Sequence, residues 1–162
     1  MAGLLAAQKP ESLSNKNLIA VEKRVESQMP PELKPQLDAA ILSGEEVLFS
    51  DAAKSEVVKN MRKPDFLQTL PKSMASLILY IKAHSGQDDQ GRPKMSDAVA
   101  LPAAIVLSLH VLDVAEKVAG IEITPELVSN GVKILTQEVQ SALSNIAPNP
   151  QQAAGQQIQQ GA

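Results

Sequence analysis

The sequence predicts an all-α fold, with five to six helices packed around one central hydrophobic helix and flexible ends. Three observations predict it. Residues 101–119 are apolar on nearly every side until Asp113, and a helix hydrophobic all round belongs in a core, a subunit contact or a membrane. Hydrophobic residues make up 44% of the chain but aromatics only 2%, so Leu, Ile, Val, Ala and Met fill the interior. That composition favours helix packing over a sheet sandwich. Elsewhere, apolar residues recur at helical spacing between start and stop signals.

The 162 residues suggest one domain. Residues 1–13 read as a flexible arm, 14–147 as the helical domain and 148–162 as a Gln/Ala/Gly-rich tail whose one large apolar residue is Ile158. There is no cysteine, which excludes disulfides and thiolate metal sites. A net charge of -3 argues against nucleic acid as the main partner. The opening Met-Ala-Gly-Leu-Leu-Ala-Ala is too short for a signal h-region and has no basic residues before it. The central stretch is a poor membrane span. Its uninterrupted apolar part falls short of roughly 20 residues, and Ser108, His110, Asp113, Glu116 and Lys117 lie within it.

Ser14 or Asn15 can cap a first helix that runs to Met29. Leu18, Val21, Val25 and Met29 give it one apolar stripe, and Glu22, Lys23, Arg24 and Glu26 give it a wet face. Pro30-Pro31 stops it, and Pro31 can start the next. That second helix carries Leu33, Leu37 and Ile41, with Pro35 in its first turn, and Gly44 is expected to end it in a left-handed cap. Residues 45–50 are a buried loop, a brief extended piece or another helical turn. Ser50 or Asp51 caps a helix to about Arg62, with Val57, Val58 and Met61 inward and Lys63-Pro64 closing it.

Residues 72–85 form the next helix, with Met74, Leu77, Ile78 and Ile81 on one face and Gly86 as its stop. A polar loop follows to Lys94. Ser96 or Asp97 can open the central helix, in which Pro102 either makes a kink or marks the true first turn. Gly120 ends it. The last helix has the best start signal in the chain, with Thr124 as cap, Pro125 at the first position and Glu126 complementing the dipole. Val128, Val132, Leu135, Val139, Leu143 and Ile146 give its stripe. Gly131 within it costs about 1 kcal/mol against Ala and is expected where another helix crosses. Pro148-Asn149-Pro150 terminates the ordered region.

Few residues offer chemistry. His84 and His110 are the only histidines. Each stands alone in its helix pattern, so each reads as a structural, hydrogen-bonded side chain, although His110 and Asp113 are spaced to touch on one face. A His–Asp pair can orient a base, but no Ser or Cys nucleophile sits in a recognisable elbow. Asp88, Asp89 and Gly91 lack calcium-loop spacing, because the acids are adjacent and the twelfth position from Asp88 holds Val99. Ser43 and Glu46 have capping-box spacing. Lys59, Arg62 and Lys63 fall near a helix C-terminus, where they complement the dipole. No catalytic, cofactor-binding or metal-ligating residue is assigned.

The order of several short motifs forms a pattern. Gly44-Glu45-Glu46-Val47-Leu48-Phe49-Ser50 precedes a short helix. A hydrophobic helix follows from Met74 to His84, then a Gly- and Pro-bearing loop ending at Lys94-Met95. Leu101-Pro102-Ala103-Ala104 opens the apolar helix, and Ile123-Thr124-Pro125-Glu126-Leu127 opens the last. Over residues 42–146 this pattern resembles small helical virion-associated proteins of tailed bacteriophages. The resemblance implies a non-enzymatic structural component, located in the virion and assembled in the host cytoplasm. Its partners would be other virion proteins and copies of itself, met through helix contacts, with the terminal arms ordered by neighbours. The expected contact residues are Leu4, Leu5, Val128, Val132, Leu135, Val139 and Ile158. The alternative is a soluble helical adaptor or regulatory domain that binds a partner helix in a groove.

Overall fold

A computed structural model describes residues 13–146. They form six α-helices: α1 (Lys16–Gln28), α2 (Lys34–Phe49), α3 (Lys54–Met61), α4 (Phe66–His84), α5 (Asp97–Ala119) and α6 (Pro125–Ile146), with a short 3-10 turn over Pro31–Leu33. The all-α architecture and the central place of the apolar helix are as the sequence predicts. Helix α5 touches α1, α2, α3, α4 and α6. Thirteen of its residues are buried, among them Val99, Ala103, Ala104, Leu107 and Ala115 with no exposed surface. By length and composition it could cross a membrane, at a mean hydropathy of 2.0 over its most apolar window, but 72% of that window is buried inside the fold. A core helix has this signature.

Specific contacts fix how the helices run. Ser14 meets Asp113 and Glu22 meets His110, so α1 lies antiparallel to α5. Gln36 meets Ser96 and Glu45 meets His110, so α2 runs parallel to it. Lys82 near the end of α4 pairs with Asp97 at the start of α5 at 2.9 Å. Helix α6 returns after a short loop opened by Gly120, whose φ of +67° is the left-handed stop that glycine adopts freely.

The start signals hold at both ends of the chain. The Asn15 side chain accepts from Asn17 N–H at 2.9 Å, and Thr124 Oγ1 accepts from Leu127 N–H at 3.1 Å. Ser50 Oγ accepts from Ala53 N–H, so a turn at residues 51–53 precedes α3 rather than belonging to it.

Three sequence expectations are corrected. Gly44 does not end α2, which continues to Phe49 and absorbs the Ser43–Glu46 spacing into its interior. A Cβ on Gly44 would stand 2.3 Å from Leu107 Cδ1, so the glycine lets two helices approach rather than turning the chain. Helix α4 starts at Phe66, earlier than expected, because the stripe Phe66, Leu70, Met74 continues past Pro71 in the second turn. Pro102 lies in the second turn of α5, which opens after Ser96. The missing proline donor in each of these helices affects one carbonyl near the N-terminus, where a break is least disruptive.

Candidate functional site

Two places on α5 stand out, one polar and one apolar. The polar one centres on His110, which is 7% exposed. Its Nδ1 lies 2.5 Å from Glu45 Oε1 on α2, and its Nε2 lies 3.1 Å from Glu22 Oε1 on α1. Each ring nitrogen thus faces a carboxylate oxygen, an arrangement that favours a proton on both. Burial pushes the His110 pKa down, but hydrogen bonds to Glu45 and Glu22, and then their charges, outweigh it and hold the value above 6.5. One histidine therefore ties three helices together. Asp113 is not its partner, and Glu22 is not on a wet face.

Asp113 makes a second tie one turn on. Its Oδ1 accepts from Ser14 N–H at 3.0 Å and Ser14 Oγ–H at 2.8 Å, and its Oδ2 accepts from Lys117 at 2.7 Å. Burial raises the Asp113 pKa, but the bonds from Lys117 and Ser14 outweigh it and hold the carboxyl below 3.8. Asn15 Nδ2 donates to Glu116 at 3.0 Å. The start of α1 is thus pinned to the last turns of α5.

The apolar place is a cleft of about 270 Å³ between α4, α5 and α6. Leu67, Leu70 and Pro71 form one wall, Leu109 and Leu112 its floor, and Leu127, Gly131 and Ile134 the other wall. None of its lining side chains is charged. Leu67 and Ile134 stand 38% and 46% exposed at its rim. Its volume lies just below the ~300 Å³ at which ordinary small-molecule pockets begin, so it suits a few aliphatic side chains. A Cβ on Gly131 would meet nothing within 4 Å. Close helix approach is therefore not what Gly131 provides, and the glycine borders the open cleft.

The expected contact residues on α6 divide. Val128, Leu135 and Val139 are buried in the chain's own core, and Val132 is half-buried against it. The side chain they leave outward is Ile134, whose place on the helix the stripe alone did not mark. Leu4, Leu5 and Ile158 lie outside the described residues.

The other polar candidates have local partners. His84 Nδ1–H donates to the Tyr80 carbonyl at 2.8 Å, and its ring lies 4.0 Å from that of Tyr80. Asp88 accepts from the backbone of Gln90 and Arg92 and from Arg92 Nε, closing its own turn. Its pKa is lowered chiefly by the Arg92 backbone bond. Lys59 pairs across the surface with Glu56 at 3.8 Å. Among the described residues no group of three His, Cys, Asp or Glu side chains could hold a metal ion. Glu22 and Glu45 take opposite ring nitrogens, and they are 88 and 65 residues from His110. No local spacing could have revealed them. Comparison with protein families, with curated proteins and with solved structures finds no match to this chain.

Proposed function

We propose that this protein is a non-enzymatic assembly component of a tailed-phage particle, holding its place by taking an apolar segment of a neighbour into the cleft between α4, α5 and α6. The cleft is the observation that carries the reading. It is open, lined without charge, and bordered by the exposed Leu67 and Ile134. Burying such surface is the general driving force of protein association. The buried histidine supports the same reading, because both ring nitrogens are committed to carboxylates and neither is offered to a substrate.

Interfaces of lasting assemblies bury at least about 1,000 Å², more than the cleft alone provides. Leu42 and Val47 on α2 are 51% and 42% exposed and offer further apolar surface. The neighbours would be other virion proteins and copies of this chain. The same cleft also favours a second reading, an adaptor that seats one face of an amphipathic partner helix.

The test is made on intact particles. The chain should band with density-purified particles in several copies per particle. A photo-cross-linker placed at Asn130, exposed beside the cleft, should join it to a particle protein or to another copy. Loss of the chain from washed particles would overturn the virion reading, and cross-linking to a host protein instead would favour the adaptor.

A further inference from the structure

Building on the cleft as a docking site, we infer that its resident before assembly is the chain's own N-terminal segment, residues 1–7, which a neighbour must displace. Where the described chain begins is the first reason. Leu13 is buried, and Ser14 and Asn15 are tied to Asp113 and Glu116. Asp113 and Glu116 come one and four residues after Leu112, the last α5 residue that lines the cleft. The described chain therefore begins against the turn of α5 just past that end of the cleft.

Length is the second reason. The eight residues from Leu5 to Leu13 can span up to about 26 Å when extended, at roughly 3.3 Å each. The cleft floor along α5 runs from Ile105 to Leu112, a rise of only about 11 Å at 1.5 Å per residue. The segment can reach all of it.

Chemistry is the third. Met1, Leu4 and Leu5 are apolar, their neighbours are Ala and Gly, and no charged side chain precedes Lys9. The cleft walls are equally uncharged. The other terminal segment fits less well. It follows α6 at Ile146, fifteen residues and about 22 Å of helix beyond Gly131, and its one large apolar side chain is Ile158.

Tethering decides between the chain's own segment and that of a second copy. A short flexible tether holds a segment at millimolar effective concentration, far above a second copy in dilute solution. In a crowded assembly that advantage disappears, and a neighbour can take the seat.

The chain contains no tryptophan, so Leu5→Trp in the full chain is a clean reporter. Its emission should shift to shorter wavelength. Acrylamide should quench it several-fold less than the same tryptophan in a free peptide of residues 1–12, and dilution should leave this unchanged. Gly131→Phe, which fills the cleft, should release it. Leu4→Asp, which changes only the segment, should release it too. Quenching equal to the free peptide, indifference to both substitutions, or protection lost on dilution would each overturn the inference. None of these outcomes bears on whether the chain bands with particles, so the two readings fail separately.

Discussion

The two flanks of α5 are built on different principles. On the flank facing α1 and α2 the contacts are close and polar at chosen points. Gly44 lets Leu107 press against the α2 backbone, His110 bridges Glu22 and Glu45, and Asp113 holds Ser14. On the flank facing α4 and α6 the contacts are aliphatic apart from the Lys82–Asp97 pair at the start of α5, and a gap is left beside Gly131. Hydrophobic burial is non-directional. Apolar stripes bring helices together, but they do not alone fix how tightly the helices mesh. The first flank has a set register. The second keeps room that another apolar segment can fill.

The largest effect should come from the polar bridge. His110→Ala leaves two carboxylates facing each other with no cation between them. Breaking a buried ion pair in this way costs about 3–5 kcal/mol. Glu22 and Glu45 keep 22% and 17% of their side-chain surface, so the expected loss lies at the lower end, about 3 kcal/mol, read by urea unfolding. Replacing all three residues with Leu, Leu and Met should recover most of it, because the charges are then gone together. If the single variant is as stable as the parent, the bridge does not lock this flank.

The same bridge sets a pH dependence of definite sign. The folded His110 binds its proton more tightly than the unfolded chain does, since its pKa lies above 6.5. Its contribution is therefore complete below pH 6.5 and is lost as pH rises through the folded value. Melting temperature should fall across that window in the parent. His110→Gln should flatten this part of the profile. A parent profile that rises there instead would mean the ring is buried neutral.

Gly44 comes next. Gly44→Val puts a branched side chain against Leu107, which has no exposed surface and is held in the core. Overpacking of this kind costs about 1–3 kcal/mol, measurable as an earlier urea midpoint with the same slope. Adding Leu107→Ala makes room, and the pair should then lose less than the two singles summed. Strict additivity would mean that the close approach is not what Gly44 provides.

Gly44 also marks where the sequence was legible. Helix number, the central helix and the caps at Asn15 and Thr124 could be read, because stripes and caps are local signals. The role of Gly44 could not be fixed from its neighbours, since Ser43, Gly44 and Glu46 also spell a helix boundary. Yet Leu37, Ile41, Gly44 and Leu48 fall at i, i+4, i+7 and i+11, which puts the glycine on the buried face. Phe66, Leu70 and Met74 similarly carry the stripe through Pro71. His110 was readable as buried and bonded, but its carboxylates come from distant segments. The cleft could not be read at all, because it depends on how far apart three helices settle.

Gly131 gives the smallest effect and the sharpest contrast. It lies on the α6 wall of the cleft, in helical backbone, where an added Cβ meets nothing. Gly131→Ala should therefore collect the full helix-propensity difference, a stabilisation of about 1 kcal/mol and about 3 °C in Tm. Made at Gly44, the same change of one hydrogen to a methyl must displace Leu107. The two substitutions share their unfolded-state and propensity terms, so the difference between them isolates packing on the two flanks. One methyl is small against 270 Å³, so an occupant of the cleft can remain beside it. The bulky Gly131→Phe cannot share the space, and Phe is also the poorer helix former, so it should gain less than Gly131→Ala. A loss from Ala would mean that α6 is packed here as closely as α2.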